Sequence, residues 1–201
     1  MRKLFPVLIV LILLQSCNKE SYYTLIPSEN IAGFIPDNKS PKRYVSNNGD
    51  TLTFEQQGID TNTVKTNDDI GPTGTVGTLD YVEVQEHSAT IQSLNAPFKV
   101  QYHLTSIYDE QLGSRSRDFL EVSYSEGEEI LAQIDFLHTD TLSCISPRCD
   151  FLSSLKLQEK TFNNVYFLKR DSLNRVSIYL NQNKGLVGFR TADNRIFELI
   201  D

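Results

Sequence analysis

The chain has 201 residues, of which 39% are hydrophobic and 22% charged, and its formal net charge is −7. This length fits one globular domain of ordinary size with short appended segments. The apolar share argues against wholesale disorder, and the acidic balance argues against nucleic-acid binding as the main role. Ten Gly and seven Pro are too few for a collagen-like or low-complexity chain.

The first segment has the features of a secretory signal. Arg2 and Lys3 give it a positive start, and an uncharged apolar run follows from Leu4 to Leu14. This run is too short to cross roughly 30 Å of bilayer hydrocarbon as a helix, but it suits the core of a signal peptide. We therefore predict that residues 1–16 are a signal peptide that is removed from the mature protein.

The residues that follow this run, Leu14-Gln15-Ser16-Cys17, resemble a bacterial lipobox. Leu14 and Ser16 match the family pattern, whereas Gln15 is a departure that lipoproteins of the Bacteroidota tolerate. The resemblance implies that Cys17 is lipidated on its sulfur and becomes the first residue of the mature chain. Such a cysteine carries two or three acyl chains, which implies permanent membrane attachment. An ordinary cleaved signal and an uncleaved anchor are the alternatives.

Residues 17–42 contain three prolines with polar residues between them and show no sustained period. We predict that this segment is the lipidated cysteine and its tether, in which Tyr22–Ile26 could add a short strand to the body. An acidic body is repelled by anionic headgroups. It is therefore expected to hang from its lipid and not to lie flat on the membrane.

Three cysteines occur, so Cys144 and Cys149 remain as a pair if Cys17 carries lipid. Exported compartments favour disulfides, and Ser146-Pro147 suits the turn that would bring the pair together. We predict a structural disulfide, with free thiols as the alternative. A redox or metal site is a weak reading, because the spacing is not C-x-x-C and no histidine cluster lies nearby.

From Arg43 onward, short runs alternate apolar and polar residues and are separated by turn residues. Such alternation is typical of antiparallel strands with one buried and one wet face. Cys149–Gln158 is the best helical candidate, but it could equally be loop plus strand. The predicted fold is all-β, with about ten antiparallel strands in one domain (43–201), as an open half-barrel or a β-sandwich. Predicted strands include 98–105, 119–124, 130–136, 162–168, 175–180, 186–190 and 195–200.

One internal segment departs from this pattern. Residues 58–78 are polar and rich in Thr, Asn, Asp and Gly, which predicts a long polar loop. Its glycine spacing is superficially like a phosphate loop, but no Gly-Lys-Ser/Thr follows. A slip in the alternation near Glu86–Ser88 predicts a β-bulge in the next strand.

The end of the chain, from Phe162 to Asp201, resembles the C-terminal hairpins of uncharacterised envelope lipoproteins of the Bacteroidota. The resemblance is carried by Phe162-Asn163-Asn164-Val165-Tyr166, Tyr179, Gly185-Leu186-Val187-Gly188-Phe189 and Phe197-Glu198-Leu199. It implies a β fold and an envelope location, and it transfers no catalytic residue. Three tripeptides also resemble the O-glycosylation signal of that group, which implies glycan attachment at Thr51, Thr141 or Ser172.

The sequence holds no Gly-x-Ser-x-Gly, His-Glu-x-x-His or EF-hand pattern. His87, His103 and His138 are far apart, and His103 is predicted on the wet face of its strand. The acidic turn at 126–129 is predicted to be a solvated hairpin tip. We predict no cofactor, no metal and no enzymatic activity.

We expect a membrane-anchored envelope lipoprotein that acts as a non-enzymatic binding or assembly module. The expected location is the outer membrane, facing the periplasm. Its expected partners are the membrane, through the N-terminal lipid, and another envelope protein or a glycan, but not nucleic acid. A carrier of a lipid or small apolar ligand in a half-barrel cavity is the alternative. An enzyme with an unrecognised site is a third hypothesis, which needs reactive residues that converge in a cleft.

Overall fold

The computed structural model describes residues 22–36, 40–66, 81–109, 115–139, 141–168 and 176–200. Cys17, Ser172 and the predicted signal peptide lie outside these ranges. The described part consists of thirteen strands and one short helix, α1 (Glu29–Ala32). The strands are β1 (Tyr22–Leu25), β2 (Lys42–Ser46), β3 (Thr51–Thr66), β4 (Tyr81–Ser93), β5 (Phe98–Asp109), β6 (Arg115–Glu126), β7 (Glu129–His138), β8 (Leu142–Cys144), β9 (Cys149–Lys156), β10 (Thr161–Leu168), β11 (Ser177–Asn181), β12 (Gly185–Arg190) and β13 (Ile196–Leu199).

All the strands belong to one sheet, in the order β8-β7-β6-β5-β4-β3-β2-β13-β12-β11-β10-β9. The neighbours in this order pair antiparallel, and β1 is an additional strand that pairs parallel with β4. The sheet curls into a nearly closed barrel. The prediction of an all-β half-barrel is confirmed. The strand count exceeds the predicted ten because a short strand such as β8 carries too few residues for a periodic signal.

The two edge strands of this sheet are consecutive in the chain. Cys144 ends β8 and Cys149 begins β9, and the two form the predicted disulfide, with 6.2 Å between their Cα atoms. The connection is also fixed to β7, because the Asp135 N–H donates to Ser146 Oγ at 2.6 Å. We call this join between β8 and β9 the seam. A covalent link thus holds together the two edges that a half-barrel would otherwise leave apart.

The barrel interior is filled by aromatic side chains. The ring of Phe189 lies within 6 Å, centroid to centroid, of five other rings, those of Tyr44, Phe54, Phe98, Tyr124 and Phe197. All of these rings come from inward-facing positions and are almost completely buried. Rings at such distances add edge and stacking contacts to the burial of their large apolar surfaces.

Two interior tyrosines share one backbone partner on β12. The hydroxyl of Tyr44 donates to the Leu186 carbonyl at 2.9 Å, and the Leu186 N–H donates to the hydroxyl of Tyr102 at 3.2 Å. Burial raises the pKa of both phenols, because the charged form would lose its hydration. The hydroxyls therefore serve as neutral hydrogen-bonding groups inside the barrel.

The outer face of β12 and β13 is also covered, which corrects the prediction of one wet face for these strands. The turn between β9 and β10 lies against it, and the N–H groups of Gln158, Glu159 and Lys160 donate to the buried carboxylate of Glu198. A Cβ on Gly188 would approach Leu157 and the Phe197 carbonyl closer than 3 Å. The sequences of β12 and β13 are therefore mainly apolar and do not alternate, because both faces of these strands are buried.

The first part of the predicted loop 58–78 is a strand, which corrects that prediction. Residues 58–66 complete β3 and pair with β4 as far as Thr66 opposite Val82; residues 67–78 lie outside the described ranges. Most side chains here are exposed, so the strand needs no apolar alternation and the pattern does not reveal it. The bulge lies in β3, between Gln56 and Ile59, and not at Glu86–Ser88 as predicted.

Much of the predicted tether 17–42 is packed into the body, which corrects that prediction as well. Tyr22–Leu25 forms β1, as the short strand expected there. Residues 27–36, which we call the plug, then enter one end of the barrel. Ile31 and Phe34 are completely buried, and the Phe34 ring stacks on Phe136 at 4.6 Å. A few apolar residues without a regular period are enough to bury this segment, because the barrel supplies the side chains against which they pack.

Candidate functional site

The plug closes the end of the barrel at which β4 and β5 separate. β4 pairs with β5 only as far as His87 opposite Leu104. Beyond that point β1 takes the place beside β4, with Leu25 opposite Val84. We call this end the mouth. The N-terminal segment therefore forms part of the wall at the mouth as well as its plug.

The plug is held at the mouth because its backbone carbonyls contact residues of the opposite wall. The Gln182 side-chain amide donates to the Asn30 carbonyl of α1 at 2.6 Å. Gly185 of β12 has a φ of +69°, and a Cβ there would meet the Phe34 carbonyl at 2.8 Å. A glycine is required at this position, because a larger residue would be strained and would push the plug outward.

A pocket of about 400 Å³ lies between the plug and the wall of the mouth. Its lining is apolar at Ala32, Ile35, Ile59 and Leu104 and polar at Glu29, His87 and Asn183. The Nδ1 atom of His87 lies 3.1 Å from the hydroxyl of Thr61, which fixes the ring against the wall. Small-ligand sites commonly combine an apolar lining with a few polar groups that orient the ligand.

A buried polar cluster joins the plug to the wall. The Asp118 carboxylate accepts from the Ser28 N–H at 2.9 Å and from the Ser106 hydroxyl at 2.8 Å. His138 Nδ1 lies 3.5 Å from Asp118 Oδ2 and 3.2 Å from Ser28 Oγ. We call these four residues the latch. Only 7% of the Asp118 side chain is exposed, so its hydrogen bonds replace water that it has lost.

The latch contains a serine, a histidine and an aspartate, but not the geometry of a catalytic triad. In a triad the aspartate holds one ring nitrogen and the serine contacts the other, so that a proton can pass through the ring. Here Ser28 and Asp118 both contact Nδ1 of His138. The arrangement suits the fixing of a chain segment and does not activate the hydroxyl as a nucleophile.

We expect the Asp118→Ala variant to lose about 3 kcal/mol of unfolding free energy, because it leaves the buried Ser106 hydroxyl and the part-buried Ser28 N–H without their acceptor. Urea unfolding of the purified domain measures the change. Asp60→Ala is the matched control: the Asp60 side chain is exposed, and its removal is expected to cost less than about 0.5 kcal/mol. Equal costs for the two variants would show that the latch does not hold the plug.

The seam carries a second pocket, of about 420 Å³, around the disulfide. Leu142, Asp150, Phe151 and Tyr166 are among its lining residues. The Phe151 ring is 48% exposed and lies 4.9 Å from the ring of Tyr166. Among the described residues, this pocket has no polar cluster comparable with the latch. We therefore treat the mouth, and not the seam, as the candidate site.

The predicted site residues that fall within the described ranges lie apart from the mouth pocket. Cys144 and Cys149 are at the seam, Thr51 and Thr141 are exposed at strand ends, and His103 is exposed on the outer face. The acidic turn at 126–129 is exposed. Within the described ranges, no three His, Cys, Asp or Glu side chains are grouped so as to hold a metal.

Sequence reasoning missed the latch, although a signal for Asp118 was present. Asp118 has the same parity as Leu120 and Val122, which face the interior, so its charge stands at an inward position of β6. A buried carboxylate needs partners. Those partners come from Ser28 and His138, 90 and 20 positions away, and no local pattern links them.

Comparisons of the chain with protein-family models, with curated proteins and with solved structures found no match. No helix in the described ranges is long and apolar enough to pass through a membrane. The fold and the site define a class in structural terms: an antiparallel half-barrel, closed at a disulfide seam, with a plugged mouth and a small pocket beside the plug.

Proposed function

We propose that the protein is a membrane-anchored lipoprotein of the cell envelope and acts as a non-enzymatic binding module. The observation that carries this proposal is the position of β1. Tyr22, five residues after Cys17, begins a strand at the mouth. At about 3.5 Å per residue, a lipid on Cys17 would lie within roughly 17 Å of that strand. The anchor would therefore keep the mouth close to the bilayer.

The disulfide supports an exported location, because such bonds persist in oxidising compartments. We propose the outer membrane and its periplasmic side. Asn18-Lys19-Glu20-Ser21 lacks the dense acidic run expected after the cysteine in surface-exported proteins of the group that the lipobox resembles. Glycan attachment at Thr51, Thr141 or Ser172 remains part of the proposal, and the exposure of Thr51 and Thr141 is compatible with it.

The mouth pocket is the proposed binding site. It combines apolar side chains with Glu29, His87 and Asn183 at one opening, a lining that suits a partner with both apolar and hydrogen-bonding groups. The proposed partner is an exposed segment of another envelope protein or a glycan. The latch keeps the plug in place, so the pocket is already formed before a partner arrives.

We expect Cys17→Ala to abolish metabolic labelling of the protein by radioactive palmitate and to release it from the membrane fraction. The physical reason is that two or three acyl chains provide the attachment, at about 0.8 kcal/mol for each buried CH₂. The measurement is labelling and fractionation of cells that express the wild type or the variant.

Ser16→Ala is the control for this test, because alanine is also small at the position before the cysteine and should leave labelling intact. Label that persists in Cys17→Ala would rule out Cys17 as the acylated residue. Full-length polypeptide in the cytosol, with residues 1–16 attached, would contradict the anchor altogether.

The mouth pocket also supports a second candidate function, the transport of a small apolar ligand. Buried aromatic side chains occupy the interior in the described part of the barrel, so we place a carried ligand in the roughly 400 Å³ beside the plug. This volume suits a small amphiphile better than a complete phospholipid.

We expect the fluorescent amphiphile 1-N-phenylnaphthylamine to bind the wild type and to bind Ile59→Asp about tenfold more weakly, because a charge would enter the apolar lining. A fluorescence titration measures this. Leu94→Asp, at an exposed position near the opposite end of the barrel, is the matched control and should bind like the wild type. Equal binding by all three proteins would exclude the mouth pocket as the site.

A further inference from the structure

The mouth pocket has an apolar floor and a polar opening. Leu104 and Ile35 belong to the floor: Leu104 is completely buried, and only 8% of Ile35 is exposed. Glu29 and Asn183 are exposed, and His87 is half-buried. The pocket therefore offers a ligand an apolar inner end and hydrogen-bonding groups next to solvent.

The three polar side chains of the lining are available to a ligand. Among the described residues, none forms a hydrogen bond or ion pair with the carboxylate of Glu29 or the side-chain amide of Asn183. His87 uses Nδ1 for its contact with the Thr61 hydroxyl, and Nε2 is its second polar atom. When Nδ1–H is the donor to Thr61, Nε2 is an acceptor. Each of the three side chains can therefore present an acceptor to the pocket.

The charge at the opening is negative. Among the described lining residues, Glu29 is the sole carboxylate, and none is a lysine or an arginine. Lys184 follows Asn183 in the chain, but its Nζ atom lies 5.8 Å from the ring centroid of Phe162 in β10, which is not a lining residue. The opening therefore attracts a cationic group and repels an anionic one.

We propose that the mouth pocket binds a free aliphatic primary amine in its protonated form. The alkyl chain lies on the apolar floor, and the ammonium group lies at the opening. An ammonium has three N–H donors and no acceptor, so it matches in number the acceptors of Glu29, His87 and Asn183. This inference rests on the carrier function proposed for the pocket and specifies the ligand that the pocket selects.

Other ligands with an apolar chain fit the opening less well. A carboxylate head has the same charge as Glu29, and a hydroxyl head has one donor and no charge. A lysine side chain of a partner protein would enter with its ammonium first, so it could not place the ammonium at the opening. Because Glu29 is exposed, solvent weakens its attraction, and we expect an advantage of about fivefold for the ammonium head over the hydroxyl head.

Three ligands with the same chain and different heads test this proposal: octylamine, 1-octanol and octanoate. The protein is the unlipidated chain from Cys17 to Asp201, so no detergent competes for the pocket. At neutral pH an alkylamine is protonated and octanoate is ionised. Isothermal titration calorimetry is expected to show that octylamine binds about fivefold more tightly than 1-octanol, and octanoate more weakly than 1-octanol.

Glu29→Gln tests which group recognises the head. We expect this variant to bind octylamine about fivefold more weakly than the wild type and 1-octanol equally well, because it loses the charge and keeps the shape. Glu128→Gln is the matched control: it removes one carboxylate from the exposed turn between β6 and β7, at the opposite end of the barrel, and should keep the preference for the amine. Circular dichroism checks that both variants fold.

Two results with these variants would overturn the proposal. A preference for octylamine that persists in Glu29→Gln would show that this carboxylate does not recognise the head. An equal loss of preference in Glu29→Gln and Glu128→Gln would show that the amine responds to the net charge of the protein. Binding of Nα-acetyl-lysine amide as tight as that of octylamine would contradict the proposed orientation of the ligand.

The neutral ligand keeps this test separate from the carrier function. Binding of 1-octanol to the wild type, with weaker binding to Ile59→Asp, would support the pocket as a site for an apolar chain. With that result, an absent preference for octylamine would reject the amine alone. If none of the three octyl ligands bound to the wild type, the carrier function and the present proposal would both fail.

Discussion

Replacing Phe189 by alanine is expected to lower the free energy of unfolding by about 4 kcal/mol, enough to leave a large fraction of a marginally stable domain unfolded. Phe189 is completely buried and its ring lies among five other rings, each from a different strand of the sheet. Alanine would leave a cavity that rigid aromatic neighbours cannot refill. Urea unfolding followed by circular dichroism measures the change.

Phe151→Ala is the matched control for this variant, because it deletes the same atoms from a ring that is 48% exposed at the seam. Its expected cost is about 1 kcal/mol, from the lost contact with Tyr166 and partial burial. If Phe189→Ala cost no more than Phe151→Ala, the aromatic interior would not be the main core of the barrel.

The second large effect is expected at the plug. Phe34→Ala should cost about 3–4 kcal/mol, because the Phe34 ring is completely buried between Phe136, at 4.6 Å, and Tyr166, at 5.8 Å. The same unfolding experiment applies. A segment that served only as a tether would show no such cost.

Ile26→Ala is the control for Phe34→Ala, because it truncates an apolar residue just outside the plug. Ile26 lies just before the plug and is 65% exposed, so its truncation is expected to change stability by less than about 0.5 kcal/mol. Similar, small costs for Phe34→Ala and Ile26→Ala would mean that residues 27–36 are not part of the folded core.

The strands that the sequence predicts well are those with one buried face. In β5, Phe98, Val100, Tyr102 and Leu104 alternate with polar residues, and the alternate positions face the interior as expected. The residues that join β2 and β3, Asn47-Asn48-Gly49-Asp50, are of the types that favour a tight turn, and Gly49 has a φ of +89°. Local pattern and tertiary environment agree in these elements.

The elements that the sequence does not predict depend on distant partners. The plug is buried because the barrel surrounds it, and residues 58–66 form a strand because β4 offers backbone groups to them. The mouth pocket brings together Glu29, His87 and Asn183 from three separate parts of the chain. No local rule relates such positions, whereas the disulfide between the nearby residues Cys144 and Cys149 could be predicted, with free thiols as the alternative, from the expected export, the turn residues between them and the assignment of Cys17 to lipid.

The pairing of β2 with β13 has a consequence for biogenesis. Val45 lies opposite Glu198, so an internal pairing of the sheet joins residues about 150 positions apart in the chain. Contacts of such long sequence separation form late and slowly. A chain that emerges N-terminus first cannot finish folding until its last strand is available. Until then the unpaired β2 edge is open to aggregation.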